Sequence, residues 1–459
     1  MKLAQLIGPE LERLVQENPK ELRSFLNDVH PEDLADFVDD LGNEKVARML
    51  RDLPTDYAAQ VFERLDDHRQ EALAGHLGVT DTTELAIEMD ADERTDFLSV
   101  LPPSLREPVI TQIETLDPEV ADDVEELSRW EDTVAGGLMT TDYISVPPTL
   151  SMGEVINELR NRAQEAETIE TVYVLEQHDR LVGVLPLRRI LLAAEATRVD
   201  EVMIHNPIGV EPELDQEDVA RKLAKYDLGT IPVIDKGTLL GVITSDDILD
   251  VLTEEQSEDV HKMGAIEPVR DGYFETSFLL FLKKRAPWLL ILFLGGFIAT
   301  MIMKAYDQVL VSITQLTVYL PLLISAGGNS GSQSSTLIIR SLAVGDVESS
   351  DWWRVFVREF GQGLVLGTML ATLGVARVYF AGDGIGLSAL VGITIIGIVL
   401  MGCVVGGMFP LLLHRLGIDP ATSSTPFIAT LIDVLGIGLY LALANYFLLE
   451  TMSRLPAAG

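Results

Sequence analysis

Five long apolar segments occupy the chain from residue 286 onward, and they restrict its fold more than any other feature. About 20 helical residues cross a hydrocarbon core about 30 Å thick, and lipid requires every backbone polar group to be paired within the protein. We therefore predict a five-helix α transmembrane domain over residues 280–452. The expected spans cover about residues 286–305, a second containing residues 319–342, and then 356–380, 387–413 and 420–449.

Basic residues predict how these spans are oriented. The run 283–285 precedes the first span, and three arginines flank the connection after the second (Arg340, Arg354 and Arg358). Because basic residues concentrate on the cytoplasmic side, we expect a multi-pass protein of the cell inner (plasma) membrane with a cytoplasmic N-terminus.

The rest of the chain is strongly acidic. The 459 residues carry a formal net charge of -37 from 71 acidic and 34 basic residues, of which only nine and seven lie from residue 286 onward. The preceding part is therefore expected to be a soluble acidic body. Such acidity disfavours nucleic acid as a partner, because phosphates attract Lys and Arg, and it suits solubility or cation binding.

Residues 1–130 read as short helices separated by prolines. The stretch "LDPEVADDVEEL" places Asp117 as an N-cap and Pro118 at the first helical position. Since each helical pair would bury one apolar stripe on its neighbour, we predict an all-α superhelical N domain.

Residues 136–253 contain two copies of a strand–helix–strand–strand–helix pattern about 60 residues apart. This part resembles a tandem pair of α+β CBS domains, at about 136–197 and 198–253, which implies a regulatory role, often as a sensor of adenine nucleotides. Thr244 and Asp247 keep the spacing with which such domains hold a ribose, whereas Pro186 and Arg189 occupy the matching positions of the first copy. The resemblance thus supports at most one nucleotide site, with ATP as a possible ligand. The matching pieces are "GLMT" with "EVM", and "LVGVL" with "LLGVITSDD".

The second apolar segment carries a polar run, Gly327–Ser335, where a membrane helix should be apolar. One interpretation is a helix interrupted at its glycines, whose freed carbonyls face water or an ion. The other is close helix packing through small residues, which explains the glycines but not the clustered polar side chains. A polar connecting (plug) helix, 254–275, is expected to join the soluble body to this domain.

Asp433 lies deep in the last apolar segment, which contains no Lys or Arg. A carboxylate at the bilayer centre costs roughly 2.5 to 3.5 kcal/mol on insertion scales. A cation is therefore its natural partner, and a protonated or hydrogen-bonded structural Asp is the other interpretation. Two copies across the axis of a symmetric dimer would hold a hydrated divalent ion better than one.

The stretches "PLLISAGGNSGSQSSTLIIRSLAVGDV" and "DPATSSTPFIATLIDVLG", behind the acidic helical domain and the paired CBS units, resemble the MgtE family of magnesium channels and transporters. The resemblance covers nearly the whole chain. It implies a homodimer that imports Mg2+ down its electrochemical gradient, with Mg2+ as both substrate and regulator. It also matches Asp433 to the pore carboxylate that holds the hydrated ion. Together with the polar run, it gives the expected ion-selectivity residues as Gly328, Asn329, Ser332, Thr336, Thr425, Ala429 and Asp433.

The same resemblance implies that the acidic body senses Mg2+. Like charges on separate domains repel, and Mg2+ that bridges them would favour a compact state in which the connecting segment closes the pore. The candidate sensor residues are Asp90, Asp92, Asp215, Glu217, Asp227, Asp246, Asp247, Asp250, Glu255, Glu258 and Asp259.

Other function classes stay open at this point. One is a CBS-regulated, nucleotide-gated transporter of another divalent cation, and another is a membrane-embedded sensor or scaffold without transport. An enzyme is not expected, because the sequence shows no nucleophile–base pair, phosphate loop or HExxH-like motif. Cys403 is the only cysteine, which excludes an intrachain disulfide or a zinc site built on cysteines.

Overall fold

The structure, a computed structural model, describes residues 29–39, 41–163, 166–269, 272–274 and 276–449. The helices expected within residues 1–28 and the last three residues of the expected transmembrane domain (450–452) lie outside the described residues. The chain divides into two compact units, Met1–Thr253 and Glu254–Gly459, which are described separately.

The described N-terminal residues of the first unit are helical, as predicted. Phe62 and Phe97 pack edge to face in the core of these helices, with ring centroids 4.9 Å apart. The predicted N-cap is confirmed, because the Asp117 side chain accepts hydrogen bonds from the backbone N–H groups of Glu119 and Val120. The helices are α1 (Pro31–Asp39), α2 (Asn43–Asp52), α3 (Thr55–Glu63), α4 (Asp67–Glu88), α5 (Ala91–Val100), α6 (Pro103–Leu116) and α7 (Pro118–Leu127).

The two predicted α+β copies follow, and the first is the more complete. Its strands β1 (Ser145–Val146) and β2 (Thr171–Leu175) pair parallel, β2 pairs antiparallel with β3 (Leu181–Pro186), and β4 (Ile204–His205) adds to β3. In the second copy β5 (Thr230–Asp235) and β6 (Thr238–Thr244) pair antiparallel, while the parallel partner is reduced to a bridge between Val210 and Val233. Pro207 and Pro212 flank this bridge, and proline limits a strand ladder because it has no N–H to donate. The elements are β1 (Ser145–Val146), α8 (Met152–Arg162), β2 (Thr171–Leu175), β3 (Leu181–Pro186), α9 (Leu187–Leu192), α10 (Val199–Val202), β4 (Ile204–His205), α11 (Gln216–Tyr226), β5 (Thr230–Asp235), β6 (Thr238–Thr244) and α12 (Ser245–Met263).

The connecting helix differs from the prediction. Instead of a separate helix over 254–275, residues 254–263 form the last part of α12, which begins at Ser245 and ends at Met263. Ala265 has a φ of 59°, in the left-handed region that ends helices, and Pro268 follows. The predicted extent of this helix was therefore wrong.

The second unit is built from long helices. Within the described residues four helical stretches are long and apolar enough to cross a membrane: Phe278–Ala305, Ser349–Ala381, Ile385–Arg415 and Thr425–Phe447. A further helix, which carries the polar run, has 29 residues but falls outside this set. The helices are α13 (Phe278–Ala305), α14 (Asp307–Ser312), α15 (Gln315–Ala343), α16 (Trp352–Ala381), α17 (Ile385–Arg415) and α18 (Thr425–Ala444).

The polar run does not interrupt its helix. Helix α15 is continuous from Gln315 to Ala343, so the expectation of freed carbonyls at the glycines was wrong. The glycines instead allow a close crossing with α17. A Cβ at Gly402 would lie 2.7 Å from the Gly327 carbonyl oxygen, and a Cβ at Gly406 would lie 2.2 Å from that of Gly331. The close-packing interpretation thus accounts for these glycines.

This crossing gives a stability prediction. Gly406→Ala places a methyl group against the Gly331 carbonyl, so the two helices must separate, and overpacking of this kind costs roughly 1 to 3 kcal/mol. Thermal unfolding of the full-length protein in detergent should show a clearly lower Tm for this variant. Gly438→Ala on α18 is the matched control, because its added Cβ meets no atom within 4 Å. Equal Tm values for the two variants would contradict the crossing.

Candidate functional site

Two stripes of residues face each other on α15 and α18. Gly328, Ser332 and Thr336 recur every four residues along α15, and four-residue spacing keeps side chains on one helix face. Thr425, Ala429 and Asp433 recur in the same way along α18. The candidate pore residues therefore form two rows rather than one cluster. 

Contacts between the stripes place Asp433 beside the glycine. A Cβ at Gly328 would lie 3.5 Å from Asp433 Oδ1 and 3.6 Å from the Ala429 Cβ. About one turn further along, the Ser332 hydroxyl donates a hydrogen bond to the Thr425 carbonyl oxygen at 3.3 Å. The structure thus brings five of the seven sequence-predicted residues together.

The other two candidates lie outside this set of contacts. The exposed Asn329 donates to Ser325 Oγ on its own helix at 3.3 Å. Thr336 continues the α15 stripe and is exposed.

Some side chains of the polar run lie outside the stripe that faces α18. Ser335 is fully buried and donates to the Ser423 carbonyl oxygen at 3.4 Å, just before α18 begins. Ser334 is also buried and donates to Glu359 of α16. The Ser330 hydroxyl donates to the Ala326 carbonyl oxygen of its own helix at 2.8 Å. The hydroxyls of the run thus bond within α15, along the stripe and to two neighbouring parts of the protein, a division that the sequence pattern did not predict.

A cluster of acidic side chains lies within the first unit, where the start of α5 meets the second α+β copy. Ala91, the first residue of α5, belongs to the same hydrophobic core as Val219 of α11 and Ile248 of α12. The acidic residues next to Ala91 therefore lie close to α12. Carboxylate oxygens of Glu167, Asp246 and Asp247 lie within 4.8 Å of one another. The cluster also contains Glu63, Asp90, Asp92 and Asp142.

Burial and mutual repulsion raise the pKa of Glu63, Glu167 and Asp92 in this cluster. Burial, with the neighbouring Asp90 carboxylate, raises the pKa of Glu63 to about 7. Burial, with the Asp247 carboxylate, raises the pKa of Glu167 to about 7. Burial raises the pKa of Asp92 well above its usual value, and Asp247 and Glu167 add to this effect. The ionised cluster is therefore held at an energetic cost that a bound cation would offset.

Two arginines balance part of this charge. Arg64 lies 3.7 Å from a Glu63 carboxylate oxygen. Arg94 is buried and donates to the carbonyl oxygens of Ala86 and Met89, so its guanidinium is held at the end of α4. These contacts leave the carboxylates in excess.

The donor atoms of the cluster suit a hard divalent cation. Asp92 Oδ1 and Glu167 Oε2 are buried and have no hydrogen-bond partner among the described residues. Carboxylate oxygens are the ligands that Mg2+ prefers, and spacings of up to 4.8 Å leave room for metal-bound water between them.

Three of the sensor candidates do not join this cluster. Asp215 caps the N-terminus of α11 by accepting from the Glu217 N–H at 2.9 Å, and Glu217 accepts from Arg221. Asp227 ends the same helix in a left-handed conformation. Because an 11-residue helix is about 16 Å long, the structure does not bring these three residues to one site.

The remaining sensor candidates lie along α12. Burial raises the pKa of Asp247, and the neighbouring carboxylates of Asp246 and Asp250 raise it further. In the second unit, burial and the Asp419 carboxylate raise the pKa of Asp259, and Glu255 and Glu258 contribute. These acids therefore belong to two separate groups, one within each unit.

A lysine holds the end of α12 within the second unit. Lys262 Nζ donates to Asp419 Oδ2 at 2.6 Å and also pairs with Glu258. Burial lowers the pKa of Lys262, but the bonds to Asp419 and Glu258 more than offset this and raise it. Asp419 also accepts from the Ala421 N–H, just before α18. The connecting helix is thus tied to the entry of the helix that carries Asp433.

The nucleotide candidates, Thr244 and Asp247, bond to each other. Thr244 Oγ1 donates to Asp247 Oδ2 at 2.6 Å, and Glu167 and Asp246 lie next to that carboxylate. A ribose at this position would enter a group of acidic side chains. 

Sequence reasoning missed five residues of these sites: Glu63, Asp142, Glu167, Lys262 and Asp419. The charge excess of the soluble body was visible, but these positions are far apart in the chain and meet only through tertiary packing. The pattern "GIDP" before the last span was the one local signal for Asp419, as an N-cap ahead of a proline.

Comparison with known proteins gives the family. Residues 29–133 match the MgtE intracellular N domain, residues 134–196 and 199–254 match the CBS domain, and residues 320–443 match the family described as Divalent cation transporter. The chain is 44% identical to the magnesium transporter MgtE of Thermus thermophilus over 72% of its own length and 74% of that protein. The chain belongs to the MgtE family.

More distant MgtE relatives agree with this assignment. The magnesium transporter MgtE of Bacillus subtilis is 28% identical over 86% of both chains. A crystal structure of the soluble part of a magnesium transporter is 27% identical, covers 55% of this chain and 99% of its own, and superposes with a TM-score of 0.52. The predicted fold class is confirmed, with an MgtE N domain, a CBS pair and a C-terminal helical region. Membership in this transporter family also supports the prediction that the chain is not an enzyme.

Proposed function

We propose that this chain transports Mg2+ across a membrane along the row formed by α15 and α18. The observation that carries the proposal is the position of Asp433, whose carboxylate lies against Gly328 between two helices of the membrane unit. The magnesium transporters at 44% and 28% identity support Mg2+ as the ion.

The geometry indicates how the ion would be held. Gly328 and Ala429 leave space beside the Asp433 carboxylate, so a Mg2+ ion that keeps most of its water can sit there. The polar groups of Ser332, Thr336 and Thr425 would contact that water further along the rows, and Asn329 would line the same path from an adjacent position. An acidic group at a constriction selects cations over anions.

A homodimer would complete the site. One carboxylate is a weak trap for a divalent ion, whereas two related by a twofold axis make a symmetric one. The surface of α13 is available to a partner subunit, because none of its residues is buried in the described chain. The contacts of this helix within the chain include Gly295, which lies against Thr430 of α18.

We propose a multi-pass protein of the cell inner membrane with five spans and a cytoplasmic N-terminus. The basic run 283–285 in the first turns of α13 supports this orientation, as do the arginines on either side of the connection between α15 and α16 (Arg340, Arg354 and Arg358). The proposed domains are 1–130, 136–253, the connecting segment 254–275, and the transmembrane domain 280–452.

We propose further that Mg2+ closes the pathway by binding the acidic body. The cluster at Asp92, Glu167, Asp246 and Asp247 is the main sensor site, and neutralisation of its charge favours a compact state. The acids near Asp419 form the second group, since Lys262 already ties α12 to the entry of α18. We propose Mg2+ rather than ATP as the primary ligand of Asp247, because a ribose brings no positive charge to this cluster.

Ion flux into liposomes that contain the purified full-length protein tests the proposed function. A panel of Mg2+, Ca2+, Mn2+ and Co2+ should give the largest flux for Mg2+, inhibited by Mg2+ in the millimolar range on the cytoplasmic side. A larger flux for another ion, with gating by ATP alone, would favour the nucleotide-gated alternative. The absence of any flux would favour a sensor or scaffold.

A further inference from the structure

Helix α16 carries a second acidic residue inside the membrane unit, on the side of α15 away from Asp433. Glu359 is 4% exposed and accepts a hydrogen bond from Ser334 Oγ at 2.7 Å. Ser334 is itself 5% exposed. A side-chain hydrogen bond between two buried groups thus joins α15 to α16.

A third helix makes room for this carboxyl group. A Cβ at Gly407 of α17 would lie 2.8 Å from Glu359 Cγ and 3.3 Å from its Cδ. Any larger side chain at Gly407 would therefore displace Glu359. The carboxyl group lies where α15, α16 and α17 meet, and the described residues contain no ion pair to it.

Ser334 lies on the side of α15 opposite the stripe of pore candidates, so its hydrogen bond to Glu359 can affect how α15 is rotated. Successive helical residues are about 100° apart, so Ser334 lies about 200° around α15 from Ser332. Ser332 bonds to the start of α18 on the pore side, and Ser334 bonds to Glu359 on the opposite side. Hydrogen bonds on opposite sides restrict rotation of α15 about its own axis.

We propose that Glu359 is a positioning residue that fixes the rotation of α15 and so the placement of Gly328 beside Asp433. Its carboxyl group holds α15 through the Ser334 hydroxyl and does not contact the permeating ion. This inference rests on the proposed Mg2+ transport. Because selectivity depends on the spacing of the groups around the ion, loss of this contact alters ion preference as well as flux.

Three variants test the role in liposomes that contain the full-length protein. Glu359→Leu removes the acceptor at similar volume, Ser334→Ala removes the donor, and Glu359→Gln keeps an amide oxygen that accepts from Ser334. We expect Glu359→Leu to lower the ratio of Mg2+ to Ca2+ flux by about fivefold or more, and Ser334→Ala to change it in the same direction. Glu359→Gln should stay within about twofold of the unmodified protein.

Coupling between the two sites sharpens the test. The double variant Glu359→Leu/Ser334→Ala should have the same flux ratio as Glu359→Leu alone, because the contact with Glu359 is already lost. Ser334→Ala also removes a side-chain hydrogen bond with Cys403, and any further decrease in stability in the double variant is assigned to that bond. Gln362→Leu is the matched control, since Gln362 is an exposed polar residue on the same helix. This control should retain the native flux ratio.

Several results would overturn the inference. One is an unchanged flux ratio in Glu359→Leu with only a lower Tm, which would show a purely structural role. Another is a Glu359→Gln protein that behaves like Glu359→Leu, which would show that the charge or proton matters rather than the hydrogen bond. If Glu359→Leu does not purify as a folded protein, Ser334→Ala decides, and an unchanged ratio in that variant rejects the proposal. Absence of Mg2+ flux in the unmodified protein would instead reject the proposed function.

Discussion

Asp433→Asn is expected to reduce Mg2+ flux by about 100-fold or more while the protein remains folded. The substitution keeps the size of the side chain beside Gly328 and removes the negative charge that balances the ion. A Mg2+ ion that enters the row then meets neutral groups only, and a neutral site does not offset the partial loss of its hydration shell. Flux into liposomes measures the effect directly, and Asp433→Ala should behave in the same way.

A carboxylate outside the row provides the control for this prediction. Asp346→Asn removes an exposed acidic residue in the connection between α15 and α16, and flux should remain near the native level. Size-exclusion chromatography with light scattering should give the same particle mass for all three variants as for the unmodified protein. Robust Mg2+ flux through Asp433→Asn would remove this residue from the pathway.

The sequence predicted the membrane part well wherever the pattern is local. Hydropathy located the long helices. Thr425, Ala429 and Asp433 are spaced four residues apart, so they lie on one face as soon as the segment is helical. The polar run was harder, because a glycine that allows close packing and a glycine that interrupts a helix look the same in one sequence. The partner glycines, Gly402 and Gly406, lie in another span and identify the first interpretation only after the helices are packed.

The sensor cluster was less predictable for a physical reason. Asp90 and Asp247 were candidates through the family resemblance, but Glu63 and Glu167 come from other elements and join them only through tertiary packing. Acidic residues are also abundant throughout the soluble body, so composition does not separate a ligand from a helix cap such as Asp215. Spatial proximity separates them in the structure, because the Asp247 carboxylate lies within 4.8 Å of those of Glu167 and Asp246, whereas Asp215 accepts from the backbone of its own helix.

Neutralising the cluster is expected to remove the response of the soluble body to Mg2+. In the unmodified full-length protein, millimolar Mg2+ at constant ionic strength should slow cleavage of the domain linkers by a protease and lower flux. In Asp92→Asn/Asp247→Asn, the same responses should require about tenfold more Mg2+ or disappear, because a ligand that binds both states equally shifts neither. Limited proteolysis and flux measured over one Mg2+ series check this prediction.

A charge-matched control and a pH series distinguish metal binding from general repulsion. Glu114→Gln/Asp122→Asn removes two charges from exposed positions of α6 and α7 and should keep the native Mg2+ response. The pKa values of Glu63 and Glu167 are raised to about 7, so the compact state gains stability as the pH falls from 8 to 6 and these groups take up protons. Protease protection without Mg2+ should therefore increase over that range, and the additional protection by Mg2+ should decrease. Equal loss of the Mg2+ response in both double variants would show that net charge, rather than this cluster, controls the soluble body.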